Sequence, residues 1–284
     1  MGGFFGAACN HDAIEDVFFG TDYHSHLGTK RGGMAAYDKE IGLQRDIHNI
    51  QNSPFRTKFE KIFDEMKGNS AIGCISDTDP QPLLFRSKLG KYAISVTGAV
   101  NNANELIEKY LEESGGHLSA MTGGKINIVE LVAAIINQKN TFEEGIRLVQ
   151  EVIDGSATIL ILKEGGSLIA ARDKFGRLPV IIGKDEDGYC VSLESFAADK
   201  LGYELERELG PGEIVEVAAD GLTQLAPPGD KMRICSFLWS YFGYPNSTYE
   251  GRNVELMRYR NGEIMARDEV LRGSLPKVDY VAGV

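Results

Sequence analysis

The residue types that carry nucleophilic, acid–base or metal chemistry are scattered thinly through this 284-residue chain. Its opening residues, Met1-Gly2-Gly3-Phe4-Phe5-Gly6, run straight into Ala7, Ala8 and Cys9. Small and apolar residues in that order read as a buried strand starting at the very N-terminus. A terminus built into a core can hold its amine as general base for a nucleophile on the same residue. The four cysteines, Cys9, Cys74, Cys190 and Cys235, lie far apart in apolar surroundings with no CxxC pair. They read as buried reduced thiols rather than a disulfide framework or a metal site. Among five histidines only His24 and His26 are close, and an i,i+2 spacing turns two rings apart on a helix. No metal and no cofactor is expected.

Composition narrows the class of protein. Hydrophobic residues make up 43% and charged residues 25%, as in a globular protein of one large or two small domains. A net charge of -11 argues against non-specific nucleic-acid binding, leaving only a local basic pocket for phosphate open. No apolar run approaches the ~20 residues that span a bilayer, and no basic n-region precedes an apolar one. The expected setting is cytoplasmic, with neither nucleic acid nor membrane as partner.

The elements that must position any site follow from periodicity and caps. Asp12 to Leu27 has helical spacing, with His11 or Asp12 as its start and Asp12 the better N-cap. Met34 to Tyr37 reads as a short strand, and Ser53-Pro54 opens a helix carrying Phe55, Phe59, Ile62, Phe63 and Met66. Ser70 to Ser76 is a strand ending in the turn Asp77-Thr78-Asp79-Pro80. Leu83 to Phe85 and Tyr92 to Val96 form a hairpin at Gly90. Asn101-Asn102 caps a helix to Glu113, ended by Gly115-Gly116, and Leu118 to Met121 is a brief strand. Ile126 to Gln138 is an apolar helix, and Thr141-x-x-Glu144 is a capping box for another through Val152. From Thr158 the period becomes strand-like: Thr158–Leu162, Ser167–Ala171, Leu178–Ile182 and Tyr189–Leu193. A short helix, Phe196–Leu201, precedes strands Tyr203–Leu209 and Glu213–Ala218. So many strands apolar on both faces imply two packed sheets covered by helices. A linker-like break falls at Ala226-Pro227-Pro228-Gly229-Asp230, Glu255 to Val270 is helical, and Val278 to Val284 reads as a strand that opens a second, curtailed domain.

Several stretches resemble one family. Gly2-Gly3-Phe4-Phe5-Gly6 resembles the start of class II glutamine amidotransferases, Cys-Gly-Val/Ile-Phe/Val-Gly. Arg172 to Val180 is similar to their RDxxGxRPL, Tyr189 to Ala198 to YxxASETCAL, and Leu209 to Glu213 to the xxPGE turn. Cys235 to Ser247 resembles the CxFExxYFARPDS segment of the amidophosphoribosyltransferase branch, and Val278 to Val284 its DxVxxVP strand. The resemblance covers nearly the whole chain. It implies an α+β, four-layer αββα N-terminal-nucleophile sandwich over residues 1–228, and the first elements of a phosphoribosyltransferase-like domain over 229–284. The phosphoribosyl pyrophosphate fingerprint is absent.

The family's chemistry does not carry over position by position. Its nucleophilic cysteine is matched by Gly2, which has no side chain. Cys9 lies about 23 Å further along an extended strand. The arginine that clamps the glutamine carboxylate is matched by Ser76, and the adjacent Asp77 adds repulsion. In the oxyanion turn Gly98 persists, but the asparagine is Thr97. The aspartate that holds the substrate ammonium falls on Ile128, or on Asn127 in a register shifted by one. The HRGQxSAG loop becomes Lys30-Arg31-Gly32-Gly33-Met34-Ala35-Ala36-Tyr37. Losing one oxyanion donor alone costs ~10²–10³ in rate, and losing the nucleophile removes the mechanism.

Three readings compete. One is a degenerate domain kept as scaffold or sensor of a small molecule, glutamine or another amino acid. Another is a working amidophosphoribosyltransferase of purine biosynthesis, with its nucleophile elsewhere. A third is a hydrolase of other specificity using Thr97, Ser76 or Thr29, which lack a free amine as base. The expectation is that glutamine is not hydrolysed. Arg172-Asp173 reads as a structural ion pair, Gly98 as a turn glycine, and Lys30 and Arg31 as a solvated loop. A homo-oligomer is consistent with the resemblance.

Overall fold

The computed structural model describes residues 2–273, 277–280 and 282. In chain order the elements are β1 (Gly2–Cys9), α1 (Ile14–Asp22), β2 (Arg31–Asp38), β3 (Gly42–Asn49), α2 (Phe55–Lys58), α3 (Ile62–Glu65) and β4 (Ser70–Ser76). Then follow β5 (Leu83–Ser87), β6 (Gly90–Val100), α4 (Ala103–Ser114), β7 (Met121–Thr122), β8 (Lys125–Ile126), α5 (Ile128–Ile136) and α6 (Phe142–Val152). The second half gives β9 (Gly155–Lys163), β10 (Leu168–Ala171), β11 (Ile181–Lys184), β12 (Gly188–Ser192), α7 (Ser195–Lys200), β13 (Glu204–Glu208), β14 (Ile214–Ala218) and β15 (Gly221–Ala226). A small hairpin, β16 (Thr248–Tyr249) and β17 (Arg252–Asn253), leads into α8 (Val254–Arg272).

Two antiparallel sheets face each other, with strand orders β13-β11-β12-β1-β4-β2-β3 and β15-β14-β10-β9-β6-β5. Strand alternation sorts their side chains. In β1, Phe4 and Ala8 enter the core between the sheets, while Phe5, Ala7 and Cys9 enter the core under α1, α2, α3 and α7. A third core joins the outer face of the second sheet to α4, α5 and α6. Three cores between four layers are the αββα sandwich expected of the α+β chain, because every strand apolar on both faces needs cover on both faces.

Local signals mostly hold. The Thr141 hydroxyl accepts from Glu144 N–H at 3.1 Å; the N-cap of α1 is Ala13 rather than Asp12, whose carboxylate accepts from Ile14 N–H at 2.9 Å just ahead of the helix. Departures have physical causes. The helix from Asp12 stops at Asp22, and Ser25–Leu27 is a separate 3-10 turn. The helix expected after Pro54 splits into α2 and α3, which bury Phe55, Phe59, Ile62 and Met66 but leave Phe63 exposed. Polar β3 was not anticipated: it is an edge strand, half-exposed on both faces, held by its ladder with β2. β15, likewise an edge, pairs only with β14. The brief strand foreseen at 118–121 lies later, as the β7–β8 hairpin. Leu178 to Val180 are not strand; Leu178 and Val180 pack in the inter-sheet core and β11 starts at Ile181.

Beyond residue 228 the chain stays against the sandwich. Arg233 and Cys235 donate their N–H groups to the Phe175 and Arg177 carbonyls, and Leu238, Tyr249 and Val254 belong to the inter-sheet core. Val278, Asp279 and Tyr280 form no ladder; Val281, Gly283 and Val284 of the strand expected there lie outside the described residues. Among the described residues, no helix is long and apolar enough to cross a membrane.

Candidate functional site

The sheet register gathers the N-terminal positions. Gly2 of β1 stands opposite Ser76 of β4, and Ser76 stands opposite Arg31 of β2. Gly2 is buried, and a Cβ built on it would lie 2.5 Å from the Ile75 carbonyl oxygen. Backbone therefore occupies the space a side chain would need. Ser76 is also buried, and its hydroxyl accepts from Thr78 N–H at 3.1 Å. Lys30 is exposed and Arg31 half-buried.

The loop after Ser76 is tied down by residues that sequence reasoning assigned to a ligand. Asp77 accepts from Thr29 N–H at 2.7 Å. Burial works to raise its carboxyl, but that hydrogen bond and the Lys30 charge help hold it below the ordinary carboxylate value. Asn127, the N-cap of α5, accepts from Val129 N–H at 2.8 Å and donates to the Pro80 carbonyl at 2.9 Å. Ile128 N–H points to Asp79 at 3.4 Å, and burial pushes the Asp79 carboxyl up despite it. The Gln81 amide bonds both backbone groups of Val96, at 2.8 and 3.2 Å, as a neighbouring strand would.

Thr97 and Gly98 lie on β6, opposite Thr158 and Ala157 of β9, and β6 touches β1 across the sandwich. The Thr97 and Thr158 hydroxyls are buried without a hydrogen-bond partner. Gly98 is a strand residue, not the turn glycine expected. Its φ is +154°, and a Cβ would meet the Ser156 carbonyl at 2.1 Å, so close approach to β9 requires glycine. Sheet register brings Gly2, Ser76 and Arg31 together, while Ser76, Asp77 and Asn127 bond within or next to the Asp77–Gln81 loop and the Thr97 hydroxyl is left unpartnered.

Sequence reasoning missed a second cluster beside Gly2. His24 is fully buried; its Nδ1 donates to the Gly20 carbonyl at 2.7 Å, and its Nε2 faces the Ser192 hydroxyl at 3.3 Å. Burial lowers its pKa, so the ring is neutral. Ser192 donates to the Glu194 carbonyl at 2.7 Å and is itself fully buried, which rules it out as an accessible nucleophile. One oxygen of buried Glu194 accepts from His26 Nε2 at 2.9 Å and Tyr249 OH at 3.0 Å; the other has no partner. The two imidazoles meet one segment, Ser192–Glu194, because the helix ends before them. A lone acid inside the apolar run Leu193-Glu194-Ser195-Phe196 was the available signal.

A cavity of about 10 Å³ between Gly2, Leu27, Leu178, Leu193, Leu238 and Tyr249 adjoins this cluster, room for no more than one water. A larger open cleft, about 660 Å³, flanks the loop and is lined by Thr78, Asp79, Asn101, Asn104, Lys125 and Ile128 among others.

The framework residues have structural partners. Arg172 is fully buried and does not pair with Asp173, correcting that expectation. It donates to the carbonyls of Leu178, Gly176 and Leu209 and lies 2.7 Å from a Glu250 oxygen. Asp173 accepts from the Phe175 and Arg177 N–H groups and lies 3.5 Å from the Arg177 guanidinium.

Residues 67–198 match the sequence profile of the family described as glutamine amidotransferase domain. The amidophosphoribosyltransferase of Archaeoglobus fulgidus is 26% identical over 91% of this chain and 56% of its own length. That of Methanothermobacter thermautotrophicus is 29% identical over 86% of this chain and 52% of its own. The solved glutamine phosphoribosylpyrophosphate amidotransferase of B. subtilis, complexed with ADP and GMP, superposes with a TM-score of 0.83 at 26% identity, covering 96% of this chain and 59% of that one. The chain thus spans little more than half the length of these relatives.

Proposed function

This chain is a class II glutamine amidotransferase domain similar to the N-terminal part of amidophosphoribosyltransferase, and on that premise we propose that it has lost glutamine hydrolysis and serves as a scaffold. The observation that carries this reading is at Gly2. The family's nucleophilic side chain has no atom here, and the space for one is taken by the Ile75 carbonyl, 2.5 Å from a Cβ. The carboxylate and ammonium ligands are missing as well, with Ser76 and Asn127 committed to Thr78, Val129 and Pro80.

Neither competing chemistry finds support. Cys9 and Cys74 are buried, and burial raises both thiols, Cys9 to about 12, so neither is a ready thiolate. Ser76 and Thr97 have no imidazole or carboxylate among their described hydrogen-bond partners, and Thr29 Oγ1 reaches only the Asp77 carboxylate, at 3.5 Å, with no imidazole. If a small ligand such as an amino acid binds, the cleft beside Asp79 and Lys125 is the space of adequate size. Residues 229–284 would then lead into a phosphoribosyltransferase-like part of a cytoplasmic, homo-oligomeric protein.

The test is a coupled glutamate-release assay beside calorimetric titration with L-glutamine. No release is expected. Steady release, abolished by a glutamine-analogue alkylator, would overturn the proposal, and heat without release would favour a glutamine sensor.

A further inference from the structure

At the end of β1 remote from Gly2, three groups of different chemistry meet. Cys9 closes the strand with its side chain in the helix-side core. The turn that follows is fixed by backbone hydrogen bonds from Cys9 N–H to Asn69, Asn10 N–H to Asp187 and Ala13 N–H to Gly68, each 2.8 Å. It carries His11 and delivers Asp16 in the first turn of α1. One ligand atom each from Cys9, His11 and Asp16 lies within 4.8 Å of the other two. His11 Nε2 is 3.4 Å from Asp16 Oδ2. On its far side, His11 Nδ1 lies 3.8 Å from a carboxylate oxygen of Asp187.

We propose that Cys9 Sγ, His11 Nε2 and Asp16 Oδ2 form a binding site for a divalent transition metal of zinc type, with water as fourth ligand. Thiolate, imidazole and carboxylate are the three donor types zinc takes, at about 2.0–2.3 Å from the metal. Tetrahedral ligands at such distances stand roughly 3.3–3.8 Å apart. The His11–Asp16 separation already falls in that range, and the half-exposed His11 ring has room to adjust the rest. The surrounding groups are those a metal site needs. Asp187 faces the imidazole nitrogen opposite the metal, and Tyr203 donates its hydroxyl proton to Asp16 Oδ2 at 2.6 Å while its oxygen lies 3.3 Å from Cys9 Sγ. A carboxylate facing the second ring nitrogen of a histidine ligand orients it and raises its basicity, and the Tyr203 hydroxyl fixes the Asp16 carboxylate in place. On coordination the charge of the metal drives off the proton that the buried Cys9 thiol otherwise keeps: the S–metal bond replaces the S–H bond, and that proton leaves to solvent.

The spacing Cys9-x-His11-x₄-Asp16 matches no familiar metal motif, which is why sequence reading passes over it. The strand, the turn and the first helical turn make the site only when packed together, with Tyr203 and Asp187 arriving from elements some 170 residues or more away.

The test is titration of chelator-treated, full-length protein with Co²⁺, followed by absorbance. One Co²⁺ per chain is expected, with a thiolate-to-cobalt charge-transfer band and the visible bands of tetrahedral coordination, all erased by added Zn²⁺. His11→Ala removes an exposed side chain without disturbing the core, and is expected to weaken Co²⁺ binding at least about tenfold. Cys9→Ser is expected to abolish the charge-transfer band. Folded wild-type protein without that band, or binding unchanged in His11→Ala, would overturn the proposal. The His11→Ala comparison decides it even if Cys9→Ser fails to fold.

Discussion

Asn127 donates its side-chain N–H to the Pro80 carbonyl at 2.9 Å while its oxygen caps α5. A residue at one of the two positions expected to meet a substrate ammonium is thus spent on the protein itself. Asn127→Ala removes both bonds and is expected to destabilise the fold by about 2 kcal/mol, from the lost cap and the orphaned carbonyl. Asn127→Asp keeps the cap and loses only the donor, so its stability loss should be smaller. Hydrogen exchange at residues 77–81 should quicken in both. Unchanged exchange would show that the tie does not hold the loop.

Restoring the nucleophile alone should not restore chemistry. Gly2→Cys puts a Cβ against the Ile75 carbonyl, and the displacement is expected to cost roughly 1–3 kcal/mol, read as a Tm lower by about 2–4 °C per kcal/mol. Glutamate release from this variant should stay at background. Activity with an unchanged melting temperature would mean that β1 yields without penalty.

Arg172 joins the sandwich to the chain beyond residue 228. Arg172→Met strips donors from three buried carbonyls and leaves Glu250 without its cation, for an expected loss of about 3–5 kcal/mol in denaturant unfolding. Glu250 is partly exposed, so Glu250→Gln should lose far less. Equal losses in the two variants would contradict the assignment of the energy to the carbonyls.

His24 gives the stability a pH dependence of known sign. Burial holds its folded-state pKa below the unfolded value of 6.5. Below that pH the unfolded chain therefore binds a proton that the folded chain refuses, and stability falls as pH drops. Its full contribution is present above 6.5. Denaturation midpoints of wild type and His24→Gln between pH 7.5 and 5 should diverge in slope, the wild type losing up to about 1.4 kcal/mol more per pH unit. Parallel slopes would place the titration elsewhere.

The sequence by itself determined the elements whose causes are local. The glycine-and-alanine run of β1, the apolar face of α5 and the Thr141 cap of α6 all appear where the sequence placed them. It also placed Gly2, a residue without a side chain, at the first strand position, from which the proposed loss of glutamine hydrolysis is argued. Only the tertiary structure decided the partners. Arg172 sits beside Asp173 in sequence yet pairs with Glu250, while His24 and His26 converge on Ser192 and Glu194. Polar β3 becomes a strand because β2 offers it a ladder. Cys9, His11 and Asp16 meet because a strand end, a turn and a helix start are packed together. Periodicity records which face of an element is apolar. It does not record what arrives from a hundred residues away to satisfy a buried charge or an unpaired backbone group, and that is where this protein's site was settled.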